Sequence, residues 1–125
     1  MIQGIGADII EIERFRHSIL RFGDRLILKL FTAEEISYCS SQKNPAELFT
    51  AHFAAKEAFS KALATGNTGI FNWKDVEVIG LSKGIPALQC YHAVAERLKT
   101  NTVQLTLSTT KNSVMAFVLI QSNEQ

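Results

Sequence analysis

The sequence has little of several things that would point elsewhere. It holds only two cysteines, Cys39 and Cys90, far apart and outside any CxxC or Cys/His ligand spacing. That excludes a disulfide framework and a zinc ribbon, and both are read as reduced, inert thiols of a cytoplasmic protein. Prolines number two and glycines seven in 125 residues, too few for a collagenous or low-complexity chain. Charge of one sign is missing as well: thirteen Lys and Arg face twelve Asp and Glu, a formal net charge of +1. A strongly basic nucleic-acid binder is excluded on that balance. The longest clearly apolar run is Val114 to Ile120, far short of the roughly 18 residues of a membrane span. The start, Met1-Ile2-Gln3-Gly4, lacks a basic segment followed by an apolar one, so no signal peptide and no membrane association is expected. No repeat, linker or composition break appears, and 1–125 is read as one domain.

Apolar periodicity lays out the elements. Ile2 to Ala7 reads as a short strand. Ile9, Ile10, Ile12, Phe15, Ile19 and Phe22 recur at helical spacing, with Asp8 as N-cap and Glu11 three residues on; Gly23 weakens that helix at its far end. Thr32-Ala33-Glu34-Glu35 is a capping box that opens a short helix. The longest helix is expected over Ala46 to Leu63, ended by the glycines at 66 and 69. Val76, Val78 and Ile79 suggest a strand and Lys83-Gly84-Ile85-Pro86 a turn. Leu88 to Leu98 fits either a helix or a strand that hands over to a helix near Tyr91. Val103, Leu105 and Leu107 alternate as a half-buried strand, Lys111-Asn112 is a hairpin turn, and Ser113 to Ile120 returns as a buried strand. Strands at both ends with helices between them predict an α+β fold, an antiparallel sheet packed on a long central helix.

Three constellations carry chemistry or a plainer role. Asp8 closes the glycine-bearing stretch Gly4-Ile5-Gly6-Ala7, where a carboxylate can hold Mg²⁺ or simply cap a helix; its two oxygens make the roles compatible. Glu57 and Lys61 lie four apart on one helix face, with Phe53 and Ser60 on or beside it, and are either a solvated ion pair or a site. Ser108-Thr109-Thr110-Lys111 ends a strand with hydroxyls and N–H groups that suit a phosphate or a polar turn. Arg14, Arg21 and Arg25 are seven and four apart, so a continuous helix would align them towards an acidic partner or towards water. His17 and His92 read as ordinary surface residues.

Taken in order, Gly4-Ile5-Gly6-Ala7-Asp8-Ile9 and Phe53-Ala54-Ala55-Lys56-Glu57-Ala58-Phe59-Ser60-Lys61-Ala62 resemble the G-I-G-x-D-I opening and the F-x-x-K-E-A-x-x-K-A signature of the 4′-phosphopantetheinyl transferases. Length and motif order are similar to the short bacterial members, from Met1 to about Ile120. The resemblance implies transfer of the phosphopantetheine arm of coenzyme A to a serine of an acidic acyl carrier protein of fatty acid biosynthesis, with release of 3′,5′-ADP. It implies Mg²⁺ held by Asp8 and Glu57, with Lys61 neutralising phosphate charge and the serine proton leaving to Glu57 or to a metal-bound water. It further implies a homotrimer with sites between subunits. Coenzyme A contacts would fall on His52, Phe53, Ser60, Lys61 and Gly66 of one chain and on Gly84, Pro86, Ser108, Thr109 and Thr110 of its neighbour. The carrier protein would dock on Arg14, Arg21 and Arg25. The chain departs from the family pattern at Ile85, where a Lys is usual, at Thr109, commonly His, at His52, often Arg, and at Ala64, a Gly. Those losses of cationic or donor groups are what a non-catalytic coenzyme A- or nucleotide-binding trimeric module would share, and a transfer assay separates the two readings.

Overall fold

The computed structural model describes residues 1–63 and 71–123. Strand β1 (Ile2–Glu11) leads into α1 (Ile12–Phe22), α2 (Asp24–Leu30), α3 (Ala33–Ser40) and the long α4 (Pro45–Leu63). A hairpin of β2 (Val76–Ile79) and β3 (Ala87–Cys90) follows, then α5 (His92–Leu98), β4 (Thr102–Thr109) and β5 (Ser113–Gln121). The strands form two antiparallel sheets, a three-stranded one in the order β1-β5-β4 and the separate β2-β3 pair. The α+β class is as expected, with the strands divided between two sheets. Residues 88–98 resolve as a strand that hands over to a helix. Gly66 and Gly69 lie outside the described residues.

The first strand corrects the expected boundary. β1 runs on through Asp8 to Glu11, paired with β5 down to Glu11 opposite Ser113, so Asp8 is not a helix cap. Glu11 holds the N-cap position of α1 with no side-chain bond, and the carbonyl of Asn112 accepts the first helical N–H from Ile12 at 2.9 Å. The isoleucines at 9, 10 and 12 fit both a helical and an alternating spacing. With a full-length partner strand beside them, β-branched residues settle into the sheet.

Alternation along β1 then decides the layout. Gly4 and Gly6 are buried against α4, and Asp8 and Ile10 share their side; Ile5 and Ile9 face outwards. The inward glycines are required by contact: a Cβ on Gly6 would sit 1.9 Å from the Ala58 carbonyl oxygen, and one on Gly4 2.2 Å from that of Ala62. Gly6→Ala is therefore expected to cost about 1–3 kcal/mol, the range for overpacking a close-packed core, read as a lowered urea midpoint. An unchanged midpoint would mean that β1 and α4 separate freely.

α4 is buried almost all round. Ala51, Ala54, Ala58, Phe59 and Ala62 pack on Val114, Ala116, Val118 and Ile120 of β5 and on Val76, Val94 and Leu98. A second cluster of Phe15, Leu30, Phe31, Cys39 and Phe49 joins the first three helices to its N-terminal half. The capping box forms as read: the N–H of Glu35 donates to Thr32 Oγ1 at 3.2 Å, and the N–H of Thr32 donates to Glu35 Oε1 at 3.0 Å. Gly23, at φ 58°, breaks α1 from α2, so Arg14 and Arg21 share a helix and Arg25 begins the next; the single aligned row is not formed. The outer face of the three-stranded sheet stays apolar and uncovered, with Ile5, Ile9, Met115 and Phe117 exposed.

Candidate active site

The contact of β1 with α4 brings Asp8 to Lys61. Lys61 Nζ lies 3.2 Å from Asp8 Oδ1 and 3.3 Å from the Ala7 carbonyl oxygen. The N–H of Ile9 donates to the same Asp8 oxygen at 3.1 Å. Asp8 is largely covered, its side chain 15% exposed, while that of Lys61 is 52% exposed, so the ammonium closes the site from the solvent side. Helical spacing puts Glu57 one turn before Lys61 on the same face.

The Asp8 charge acts on Glu57. Burial raises the Glu57 carboxyl above its ordinary value, the Asp8 charge raises it further, and Lys61 opposes both. Among the described residues the Glu57 carboxylate has no hydrogen-bond partner. Two hard oxygen donors, mutually repelling and shared by one ammonium, leave a net negative site. That donor set fits a divalent cation whose remaining ligands are water and phosphate, as Mg²⁺ prefers. No group of three His, Cys, Asp or Glu side chains able to hold a metal occurs among the described residues.

Because its folded-state pKa is raised, the charged form of Glu57 weakens the fold above that pKa, and the penalty is relieved as pH falls through it. In Mg²⁺-free protein a carboxyl-detected NMR titration is expected to place Glu57 above an ordinary glutamate. Lys61→Met should move it higher still. A midpoint at or below the ordinary value would separate Glu57 from Asp8.

The neighbouring side chains build a floor and a mouth. Phe53 stacks between Phe15, centroids 4.8 Å apart, and Trp73, 5.6 Å apart. A cavity of about 240 Å³ opens between β1, α1 and α4, lined by Ile9, Ile10, Arg14, Phe15 and Phe53 among others. Arg14 also lines a groove along α1 with His17, Ser18, Leu20, Arg21 and Phe22, so Arg14 and Ser18 are shared by the two; Arg25 lines neither. Ser60 Oγ is tied back to the Glu57 carbonyl at 2.8 Å.

The other residues singled out from the sequence lie apart. Gly84 (φ 75°) and Pro86 are in the turn of the β2–β3 hairpin. Ser108 and Thr109 end β4; Thr109 pairs with Val114, which pairs in turn with Ile10, placing it two rows from Asp8 and two strands away. The Thr110 hydroxyl accepts from the N–H groups of Asn112 and Ser113, as a polar turn would. Neither group reaches Asp8, Glu57 or Lys61 by a hydrogen bond among the described residues.

His52 requires a correction. It is neither a surface histidine nor open to a nucleotide: it is 1% exposed, and its Nδ1 lies 2.9 Å from Glu35 Oε2. Five residues before Glu57, it falls on the far side of α4. Lys56, also fully buried, donates to the carbonyls of Leu30 at 2.8 Å and Trp73 at 2.9 Å and pairs with Glu35. Trp73 and Lys56 were not singled out from the sequence, and Glu35 and His52 were read only as a cap and as a coenzyme A contact. The one available signal was a lysine amid Ala54, Ala55 and Ala58, on a helix buried nearly all round.

The chain is similar to known proteins in sequence and in fold. A family model described as the 4′-phosphopantetheinyl transferase superfamily matches residues 4–118. The holo-[acyl-carrier-protein] synthase of Koribacter versatilis (strain Ellin345) is 41% identical over 125 residues, covering 97% of this chain and 99% of that relative. A crystal structure of holo-[acyl-carrier-protein] synthase from Neisseria meningitidis superposes with a TM-score of 0.88 at 30% identity, over 98% of this chain and 100% of that one. The Bacillus anthracis holo-(acyl-carrier-protein) synthase, solved in complex with CoA (3′,5′-ADP), superposes with a TM-score of 0.80 at 31% identity, over 98% and 99% of the two chains.

Proposed function

The chain belongs to the 4′-phosphopantetheinyl transferase superfamily, and on that premise we propose that it charges an apo acyl carrier protein of fatty acid biosynthesis at the site built by Asp8, Glu57 and Lys61. The observation that carries the proposal is the closure of Lys61 on Asp8 beside a carboxylate that Asp8 itself perturbs. A carrier-protein serine attacks the β-phosphorus of coenzyme A. The bond to the bridging oxygen breaks, phosphopantetheine stays on the serine, and 3′,5′-ADP leaves. The serine proton would leave to Glu57 or to a water at the site. Lys61 neutralises charge on the phosphate oxygens. Mg²⁺, held by Asp8 and Glu57, supplies charge stabilisation to the pyrophosphate when bound.

The rest of the ligand would be held between two chains. Phe53, Ser60 and Gly66 would meet coenzyme A from one subunit; Gly84, Pro86, Ser108, Thr109 and Thr110 would do so from a neighbour. The exposed apolar sheet face of Ile5, Ile9, Met115 and Phe117 supports a homotrimer, since burial against other copies removes it from water. Arg14 and Arg21, which line one groove along α1, would suit the acidic carrier protein, with Arg25 on the next helix. No helix among the described residues is long and apolar enough to cross a membrane.

Purified protein with coenzyme A, Mg²⁺ and apo carrier protein should give an intact-mass gain of one phosphopantetheine arm, abolished by EDTA and restored by Mg²⁺. No mass gain at all refutes the transferase; transfer that survives EDTA refutes the metal site alone.

A further inference from the structure

Phe53 belongs to a stripe on α4. Phe53, Glu57 and Lys61 follow one another at four-residue steps, each about 6 Å further along the axis, so they share one face. Phe53 also lines the cavity of about 240 Å³ whose other apolar walls are Ile9, Ile10 and Phe15. Ile9 and Ile10 directly follow Asp8 in β1. The apolar space and the charged groups are therefore neighbours along both the strand and the helix.

What holds Phe53 comes partly from the far end of α4. Trp73, the single tryptophan of the sequence, stacks on it with centroids 5.6 Å and planes 27° apart, and Phe15 stacks on it at 4.8 Å and 22°. Both distances lie within the roughly 4.5–7 Å where aromatic pairs attract. Trp73 is itself fixed twice more. Phe71 meets its ring edge-on at 5.0 Å and 90°. Its carbonyl accepts from Lys56 Nζ at 2.9 Å, and Lys56, three residues after Phe53, is fully buried and also bonded to the Leu30 carbonyl. α4 thus grips Trp73 by ring and by backbone, yet Trp73 does not line the cavity.

We propose, on the coenzyme A site of the transferase reading, that Trp73 is a positioning residue: it holds Phe53 as an ordered wall for the pantetheine arm and touches neither the arm nor the reacting atoms. With the phosphates at Glu57 and Lys61, an arm that leaves them towards the N-terminus of α4 meets Phe53 one turn on. An arm of methylenes, methyls and amides suits a space walled by isoleucine and phenylalanine better than a charged nucleotide does. A ring already fixed by two stacked neighbours need not be ordered when the ligand arrives, which lowers the entropic cost of binding.

The test is calorimetry with coenzyme A and with 3′,5′-ADP, which lacks the arm, on the full chain and two variants. Trp73→Leu keeps apolar bulk without a ring; Trp73→Phe keeps a ring. Relative to the unsubstituted chain, Trp73→Leu should weaken coenzyme A at least about fivefold, the scale of one aromatic pair, and 3′,5′-ADP less than about twofold. Trp73→Phe should return coenzyme A to within about twofold. In the transfer assay the KM for coenzyme A should rise in Trp73→Leu while that for the carrier protein holds. A loss of folded protein would lower the number of sites for both ligands and would not select the arm. Equal weakening of both ligands, no weakening of either, or the same coenzyme A affinity in the two variants would overturn the proposal. Binding needs no turnover, so a chain that binds coenzyme A with this pattern but transfers nothing refutes the transferase while supporting the role of Trp73. Failure of the unsubstituted chain to bind coenzyme A would overturn both.

Discussion

Glu57→Gln is expected to lower phosphopantetheine transfer at least 100-fold, about 2.7 kcal/mol of transition-state stabilisation, within the range lost with a general base. The exchange keeps shape and packing and removes only the ionisable oxygen. Its effect on the fold should run the other way. Burial and the Asp8 charge both resist a charged Glu57, so a neutral amide relieves them, and the melting temperature at pH 7 should hold or rise. The amide also leaves Asp8 paired with Lys61 and no carboxylate surplus, so Mg²⁺ binding by calorimetry should weaken in parallel. A loss of turnover with an undiminished melting temperature is something misfolding does not produce. Turnover within threefold of the unsubstituted chain would remove Glu57 from the chemistry, and Mg²⁺ affinity would then show whether it retains a metal role.

Part of this site was legible because its logic is local. Glu57 and Lys61 share a face by spacing alone, and the Thr32–Glu35 capping box is written in four consecutive residues. Asp8 was legible as a carboxylate after two glycines but not as a strand residue. Ile9, Ile10 and Ile12 satisfy both periods, and only the pairing of β1 with β5, over a hundred positions on, decides between them. The two glycines carried the missing information in another form: both are buried where a side chain would strike α4. His52 and Lys56 were illegible for the opposite reason. On a helix that is buried nearly all round, no polar face remains to read, and their partner Glu35 comes from α3, whose position depends on the break at Gly23 and the turn at Phe31. The arginine row failed at that same glycine, where φ 58° redirects the chain and separates Arg25 from Arg14 and Arg21.

Lys56→Met carries the largest expected effect on stability, about 3–5 kcal/mol, the cost of stranding one member of a buried ion pair. Against the 5–15 kcal/mol that holds a domain of this kind folded, that is a large share. Burial pushes the Glu35 carboxyl up, but the His52 hydrogen bond, the charge and hydrogen bond of Lys56 and the Val78 N–H together outweigh it and hold the group below its ordinary value. On the lysine, burial pulls the ammonium down while Glu35 and Glu77 pull it back up. A depressed carboxyl adds stability above its unfolded-state pKa, and that stability is lost as pH falls through the lower folded-state value. The unsubstituted chain should therefore weaken on acidification at this group. In Lys56→Met two of the lowering causes are gone and the Glu35 carboxyl rises, so the variant should gain stability relative to the unsubstituted chain as pH falls from 7 to 5. Urea midpoints at the two pH values measure it. The double variant Glu35→Gln/Lys56→Met removes both charges and should recover part of the loss while abolishing the pH term. A Lys56→Met midpoint equal to that of the unsubstituted chain at both pH values would show that Glu35 is satisfied by His52 and the backbone alone.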